Sequence, residues 1–404
     1  MDRTHVKIEI IHRIVAASFS NPFSFPGLVD QEISRNRSLR SSERRELTDL
    51  AHDGIRWRRR IWGDIAPTKI EESYLHERLA EAKGLRHQPP LSRWAALTMD
   101  AVARELSFPT WIFERWVHQL GLQSAVSLAL SMNEPAQMVI RANILKVDRA
   151  KLREKLAKED VEARECKQSP WGLQIQGRKN LRALRSFKEG LFEAQDEGSQ
   201  LAVLATGAKP GDLVVDACTG AGGKALALAS MMKNSGKIVA VDSDSRVFPE
   251  LLRRARRAGC KILESAWAAQ DDPEPVSHLQ GKADLVLVDA PCSGLGVLRR
   301  RPWTKWSVSS ETADRYPQKQ QTLLRRFGKL VKPGGRLAYI TCTIHQHENE
   351  DVCSTFLIDE KEFKAENPPR LLRPDVEGCD GFFTALFRKP NGDRGHTTDP
   401  DLLT

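Results

Sequence analysis

Leu213-Val-Val-Asp216-Ala-Cys-Thr-Gly220-Ala-Gly222-Gly223-Lys224 is the stretch on which the fold of this chain turns. A short β-branched run ends in an acid, a glycine-rich turn follows, and Lys224 to Met232 then reads as a helix. That order brings backbone close to a ligand at a helix N-terminus. Downstream, Lys237–Val241, Asp284–Asp289 and Arg336–Ile340 have the same strand character, and Arg246–Ala258 and Thr312–Leu330 the helical one. Such alternation predicts an α/β fold with a doubly wound, Rossmann-like parallel sheet whose ligands sit at the carboxyl ends of the strands. Asp242 ends the second strand, where a carboxylate can accept both hydroxyls of a ribose. The glycine spacing is not that of the dinucleotide fingerprint, so a nicotinamide cofactor is disfavoured.

Upstream the texture is different. Residues 1–90 read as short helices, and Ser42 to Trp62 sets Leu47, Ala51, Ile55 and Ile61 on one side of a helix with arginines on the other. Residues 31–60 hold nine arginines against five acids, with Arg56, Arg58, Arg59 and Arg60 crowded around Trp57. This strip is expected to touch RNA phosphates and to be dispensable for the catalytic core. The breaker-rich run Arg86 to Ser92 is the candidate linker. A small α/β module follows: a helix through Trp116 to Leu120 stopped by Gly121, a strand from Met138 to Leu145, and a helix from Lys151 to Leu156. The expected division is 1–90 helical, 91–180 linker and small module, and 181–404 catalytic.

The 404 residues carry a formal charge of +9, which favours an acidic partner through counterion release. Seven cysteines without paired metal spacing fit neither a disulfide scaffold nor a zinc site, so no metal is expected and a reducing, cytoplasmic setting is. Lys7, Glu9, His12 and Arg13 interrupt the apolar run Val6–Val15, and no segment is apolar for long enough to span a membrane. A monomer is expected.

Two further strand ends each deliver a cysteine, in Asp289-Ala-Pro291-Cys292-Ser-Gly294 and in Tyr339-Ile-Thr341-Cys342-Thr. Carbon 5 of cytosine is a poor nucleophile until a thiolate adds at carbon 6 and makes the ring an enamine. One cysteine would attack and a second group would assist release. Arg299, Arg300, Arg301 and Lys305 lie close downstream of Cys292 and can favour a thiolate, and Asp289 can hydrogen-bond the ring nitrogen.

At these residues the sequence resembles the RNA cytosine-5 methyltransferases of the NOL/NOP/Sun family, and most of all their bacterial Sun branch, whose members act on small-subunit ribosomal RNA. The resemblance runs from about Phe108 to Lys389. It rests on Gln195-Asp-Glu-Gly-Ser-Gln200, Asp289 to Gly296, Arg300-Arg-Pro-Trp-Thr-Lys305-Trp306, Lys332-Pro-Gly-Gly335, Thr341-Cys342-Thr with Glu348-Asn349-Glu350, and Gly378-Cys-Asp380-Gly-Phe-Phe383. It implies a class I methyltransferase sheet preceded by a small RNA-binding module and, more weakly, by a helical NusB-like domain. It also implies S-adenosylmethionine as cofactor and RNA as partner, specifically ribosomal RNA or an assembling ribosomal particle.

By the same resemblance Cys342 is the nucleophile, Cys292 assists release, and Asp289 touches the base. Asp216, Cys218, Thr219, Gly220, Ala221, Gly222, Gly223, Lys224, Asp242 and Asp289 would bind the cofactor. Pro291, Lys305 and Arg141, the last in an Arg-x-Asn element ending at Asn143, would bind substrate. Two departures stand out. The family's Cys-Ala-Ala-Pro-Gly-Gly-Lys loop is here Cys218-Thr-Gly-Ala-Gly-Gly-Lys224, without the stiffening proline. The acid expected near adenine has no match at Glu264-Ser-Ala-Trp267, and Asp271 and Asp272 lie too far along. Two rivals stay open: Cys292 as the attacking thiol, as in DNA cytosine-5 methyltransferases, and a catalytically silent RNA-binding assembly factor, which the altered 219–221 loop would suit.

Overall fold

The computed structural model describes residues 3–36, 38–85, 91–268 and 274–391. Most of the expected linker, residues 86–90, lies outside them, as do Asp271 and Asp272.

The catalytic half is built on strands β5 (Leu213–Asp216), β6 (Lys237–Asp242), β7 (Leu263–Trp267), β8 (Ala283–Asp289) and β9 (Val331–Thr341), all parallel, with the order β9-β8-β5-β6-β7. β12 (Phe382–Arg388) adds to β9 antiparallel, and the short β10 (Lys364–Ala365) and β11 (Arg370–Leu372) pair with β12. Side chains alternate between the two faces of a strand, and here both faces are covered. Val214, Ile238, Leu285 and Leu287 pack with helices Glu197–Ala205 and Gly223–Met231, whereas Val215, Val239, Val286 and Val288 pack with Tyr316–Gly328 and Glu350–Asp359. β9 begins five residues before the expected Arg336, because Lys332-Pro-Gly-Gly335 forms an irregularity that shifts its register on β8 between Ala283 and Leu285. Chain order reverses at β5, so the crevice for ligand opens beyond Asp216.

A second sheet, all antiparallel, has the order β2-β3-β1-β4, from Met138–Ala142 (β1), Ala163–Glu165 (β2), Gly172–Ile175 (β3) and Phe192–Ala194 (β4). Leu152 and Leu156 of helix Arg149–Ala157 fill its core.

The helical region departs from expectation twice. Helices Met99–Glu105, Thr110–Leu120 and Leu122–Met132 share one core with the helices before residue 85, so the 90/91 boundary divides no core. That core also takes in Leu295, Leu298 and Ile344 from the catalytic half. The arginine strip around Trp57 is turned inward. Trp57 is buried, and Arg59 binds Asp64, Asp100 and the Phe108 carbonyl. Arg60 pairs with Glu105, Arg58 lies 4.2 Å over the rings of Phe19 and Trp306, and Arg56 binds Asp53 and the Arg299 carbonyl. An apolar stripe flanked by cations looks from sequence like a solvated face; here the cations are the cement between helices and catalytic half.

Candidate active site

The turn after β5 is tied to the second strand from both sides. The Thr219 amide donates to the Val241 carbonyl at 3.0 Å, and the Gly220 amide to Asp242 Oδ2 at 2.8 Å. Asp242 Oδ1 accepts from the Asp244 amide at 2.9 Å. Gly222 caps the following helix with φ +80°, a conformation L side chains rarely adopt, and a Cβ there would meet Leu251 Cδ1 at 2.0 Å, so glycine is favoured. Beneath the turn Asp216 is fully buried. Its Oδ2 accepts from Thr219 Oγ1 at 3.0 Å and its Oδ1 has no partner. Burial, with the charge of Asp289 second, pushes its pKa up to about 7.

A cavity of about 200 Å³ opens between these strand ends, lined by Cys218, Gly220, Asp242, Asp289 and Pro291 among others. Ala268, Leu323 and Phe327 make its far wall. These three carry no motif; in sequence Leu323 and Phe327 are simply the apolar face of an amphipathic helix. The donor set suits an adenosyl cofactor: a carboxylate with spare acceptor capacity at the mouth, small residues where backbone must approach, and an apolar wall for a flat ring. Ala221, by contrast, is exposed and its carbonyl is taken by Arg254 at 2.6 Å, on the side of the turn away from this cavity.

The cysteines come together. Cys292 Sγ and Cys342 Sγ are 3.3 Å apart, both half-buried, and the Cys342 amide approaches Cys292 Sγ at 3.4 Å. The hydrogen bond from Cys292 lowers the pKa of Cys342, helped by Lys224 and Arg301 and opposed by burial and Asp289. The same bond raises that of Cys292. A hydrogen bond between the two thiols favours ionisation of the sulfur that accepts it, and the cations Lys224 and Arg301 favour that charge at Cys342. Lys224 Nζ binds Asp289 Oδ2 at 2.5 Å; although burial opposes it, Asp289 and Cys342 hold the ammonium in its charged form.

Glu348, which the motif Glu348-Asn349-Glu350 contains without assigning it a role, ties the two cysteine turns together. It is 1 % exposed; its Oε2 accepts from the Ser293 amide at 2.8 Å and its carbonyl from Tyr339 Oη at 2.5 Å. Thr341 Oγ1 donates to Asn349 Oδ1 at 2.6 Å, and Asn349 Nδ2 to the Thr343 carbonyl at 3.1 Å. The Glu-Asn pair therefore staples the two cysteine turns from behind. In front, the Gly296 amide donates to the Cys342 carbonyl at 2.9 Å and its carbonyl accepts from the Gly381 amide at 2.8 Å.

Two residues expected to touch substrate do not face it. Arg141 is 1 % exposed; its guanidinium donates to the Gly223 carbonyl at 2.8 Å and to Gln195, so it braces the glycine turn from the small sheet. With Arg254 on Ala221, it ties down a turn that here has no proline. Lys305 is equally buried, donating to the Arg56 carbonyl at 2.7 Å and Asn133 Oδ1 at 2.8 Å beneath the Phe108 ring. A cation within a motif reads as a substrate contact until burial is known. Pro291 does line the cavity, while its carbonyl accepts from Gln320 at 3.0 Å. Among the described residues no cluster of three His, Cys, Asp or Glu could hold a metal.

Strand order and site together define a Rossmann-type S-adenosylmethionine-dependent methyltransferase. Two family profiles match, a 16S rRNA methyltransferase RsmB/F over residues 203–388 and an RsmF/B-like ferredoxin-like domain over residues 108–182. A Bacillus subtilis protein named "Probable ribosomal RNA small subunit methyltransferase B" is 30 % identical over 305 residues, covering 71 % of this chain and 68 % of its own length. The Thermus thermophilus ribosomal RNA small subunit methyltransferase B is 31 % identical over 296 residues, 71 % of this chain and 66 % of that one. Among solved structures, a methyltransferase homolog protein from Pyrococcus horikoshii is 26 % identical with a TM-score of 0.63, covering 72 % of this chain and all of that one. The chain belongs to the RsmB/F family of 16S rRNA methyltransferases, enzymes that methylate ribosomal RNA with S-adenosylmethionine.

Proposed function

We propose that the chain methylates carbon 5 of a cytosine in 16S rRNA through a covalent bond between Cys342 and carbon 6 of the ring. The observation that carries this reading is the pair of thiols 3.3 Å apart at the ends of two adjacent strands, beside the Lys224–Asp289 pair, with Lys224 and Arg301 favouring the thiolate at Cys342. A silent scaffold has no use for it. S-adenosylmethionine supplies the electrophilic methyl group. Asp242 would hold its ribose, and the wall of Ala268, Leu323 and Phe327 its adenine. The Lys224–Asp289 pair would meet the polar edge of the base and accept the charge that builds there as the thiolate adds. Once carbon 5 is methylated, its proton must leave and the sulfur–carbon 6 bond must break. Cys292, next to the adduct sulfur, is the group suited to assist that elimination.

The two thiols should then fail in opposite ways. Cys342→Ala forms no adduct and neither methylates nor cross-links RNA, whereas Cys292→Ala attacks, transfers methyl and stalls as a protein–RNA species that survives denaturing electrophoresis. The double variant behaves like Cys342→Ala. A trapped complex in Cys342→Ala alone would reverse the two roles, and bisulfite sequencing of 16S rRNA identifies the cytosine.

A further inference from the structure

The charge of +9 implies that RNA is gripped somewhere, yet the densest arginine strip is consumed inside the helical core. A groove of about 530 Å³ between the small sheet and helix Phe248–Ala258 offers cations that face outward. Lys179, Arg182, Arg253, Arg254 and Arg257 line it against only Glu193 and Glu250. We propose that this groove seats the phosphates of single-stranded RNA next to the target cytosine, a proposal that rests on RNA being the substrate.

The groove is built in two layers. Its floor is fixed: buried Glu193 binds Arg254 at 3.0 Å and Arg257 as well, and Arg257 lies 3.8 Å over the Phe187 ring. Two guanidinium groups on one carboxylate leave net positive charge where side chains have already lost their freedom, so binding an anion costs little further ordering. Its rim is exposed: Arg182 makes no ion pair among the described residues, and Lys179 donates to the Asp160 carbonyl at 2.7 Å. Arg253 pairs with Glu250 across the helix surface at 2.6 Å.

The groove and the active-site cavity lie on opposite sides of the glycine turn and are joined through it. Arg254 holds the Ala221 carbonyl, and β4 runs from Glu193 to Ala194 and on into Gln195, whose side-chain amide reaches the Gly223 carbonyl at 3.4 Å, one residue from Lys224. RNA backbone lying in the groove would thus flank the turn that carries Lys224, with the target base reaching round it to the Lys224–Asp289 pair. A base attacked at carbon 6 must be out of its stack, so the strand here is single. Met138 and Leu181 between the cations suit a base face.

The test uses the full chain with Lys179→Glu and Arg182→Glu combined, and Lys179→Ala with Arg182→Ala as a milder pair, assayed on unmethylated 16S rRNA transcript and on a short single-stranded oligonucleotide bearing the unmethylated target cytosine. Expected are a rise of about tenfold or more in KM for RNA, unchanged affinity for S-adenosylmethionine, kcat near that of the parent, and a log–log salt slope shallower by about 0.7 for each phosphate no longer neutralised. An unchanged KM and salt slope, in a parent that does methylate RNA, would overturn the groove alone. A parent that transfers no methyl to RNA would overturn the substrate reading, and the groove would stand if the variants still lost RNA affinity. Weakening seen only on an assembled ribosomal particle, with naked RNA unaffected, would overturn the groove in favour of a protein contact.

Discussion

Each carboxylate oxygen of Asp242 has two acceptor positions, and the chain uses one on each, from Gly220 and Asp244. The remaining two are free for ribose hydroxyls. Asp242→Ala should therefore lower S-adenosylmethionine affinity by roughly tenfold or more, since a hydrogen bond to a charged group is worth about 1.5–3 kcal/mol. Unchanged affinity by titration calorimetry would move the ribose contact elsewhere, Asp244 being nearest. Asp216 makes a prediction of its own. Its pKa of about 7 in the fold lies above the ordinary carboxylate value, so the folded state holds a proton that the unfolded chain releases. The stability this contributes is present in full at low pH, declines as pH rises through the range from about 4 to 7, and is gone above it. Denaturant unfolding of wild type against Asp216→Asn should show wild type losing stability over that window, with a slope approaching about 1.4 kcal/mol per pH unit. Equal pH profiles would mean that Asp216 is ionised throughout. The polar ends of the strands can be read in the sequence because Asp216, Asp242, Asp289 and both cysteines each sit in a short local context. Glu348 cannot, because its role depends on being buried between two segments, and Arg141 and Lys305 mislead because sequence records a charge but not its exposure.

At the scale of elements, the site depends on three chain segments crossing at Gly296. A Cβ there would lie 2.2 Å from the Gly381 carbonyl oxygen and 2.7 Å from that of Cys342, both backbone atoms unable to move aside cheaply. Gly296→Ala should cost about 1–3 kcal/mol in stability by overpacking, and displace the Cys342 turn. Methyl transfer should fall by more than tenfold while S-adenosylmethionine affinity stays within about twofold, since none of the three residues at the crossing lines the cofactor cavity. Normal turnover in this variant would show that the crossing tolerates a shift. Four of the parallel strands, β5, β6, β8 and the end of β9, are legible because each is an apolar run buried on both faces and followed by a helix, whereas β7 has no β-branched residue, is largely exposed and is not. β10 and β11 are not: two or three residues of a terminal antiparallel pairing carry no periodicity to detect. β2 and β4, three residues each, escape for the same reason.

Across the whole molecule, the helical region is a structural part of the catalytic half. Removing residues 1–85 would open the core that also holds Leu295, Leu298 and Ile344 and take away the carbonyl acceptors of Lys305 and of the Trp306 indole. The truncated chain should aggregate or lose cooperative unfolding; a soluble fragment with parental affinity for S-adenosylmethionine would refute this dependence. The milder Lys305→Ala should cost about 1–3 kcal/mol for each of the two acceptors it strands, the Arg56 carbonyl and Asn133 Oδ1, read as a lower denaturation midpoint. This union is hidden in the sequence because it joins residues far apart in the chain, which no local pattern reports. It has a consequence during synthesis. The Ile55 carbonyl waits for the Trp306 indole 251 residues later, and at about 5–20 residues per second that is roughly 13–50 s on the ribosome. For that interval the N-terminal helices leave uncovered the apolar surface later sealed by Leu295, Leu298 and Ile344, so the nascent chain, far more than the finished enzyme, is the form that needs a chaperone's cover.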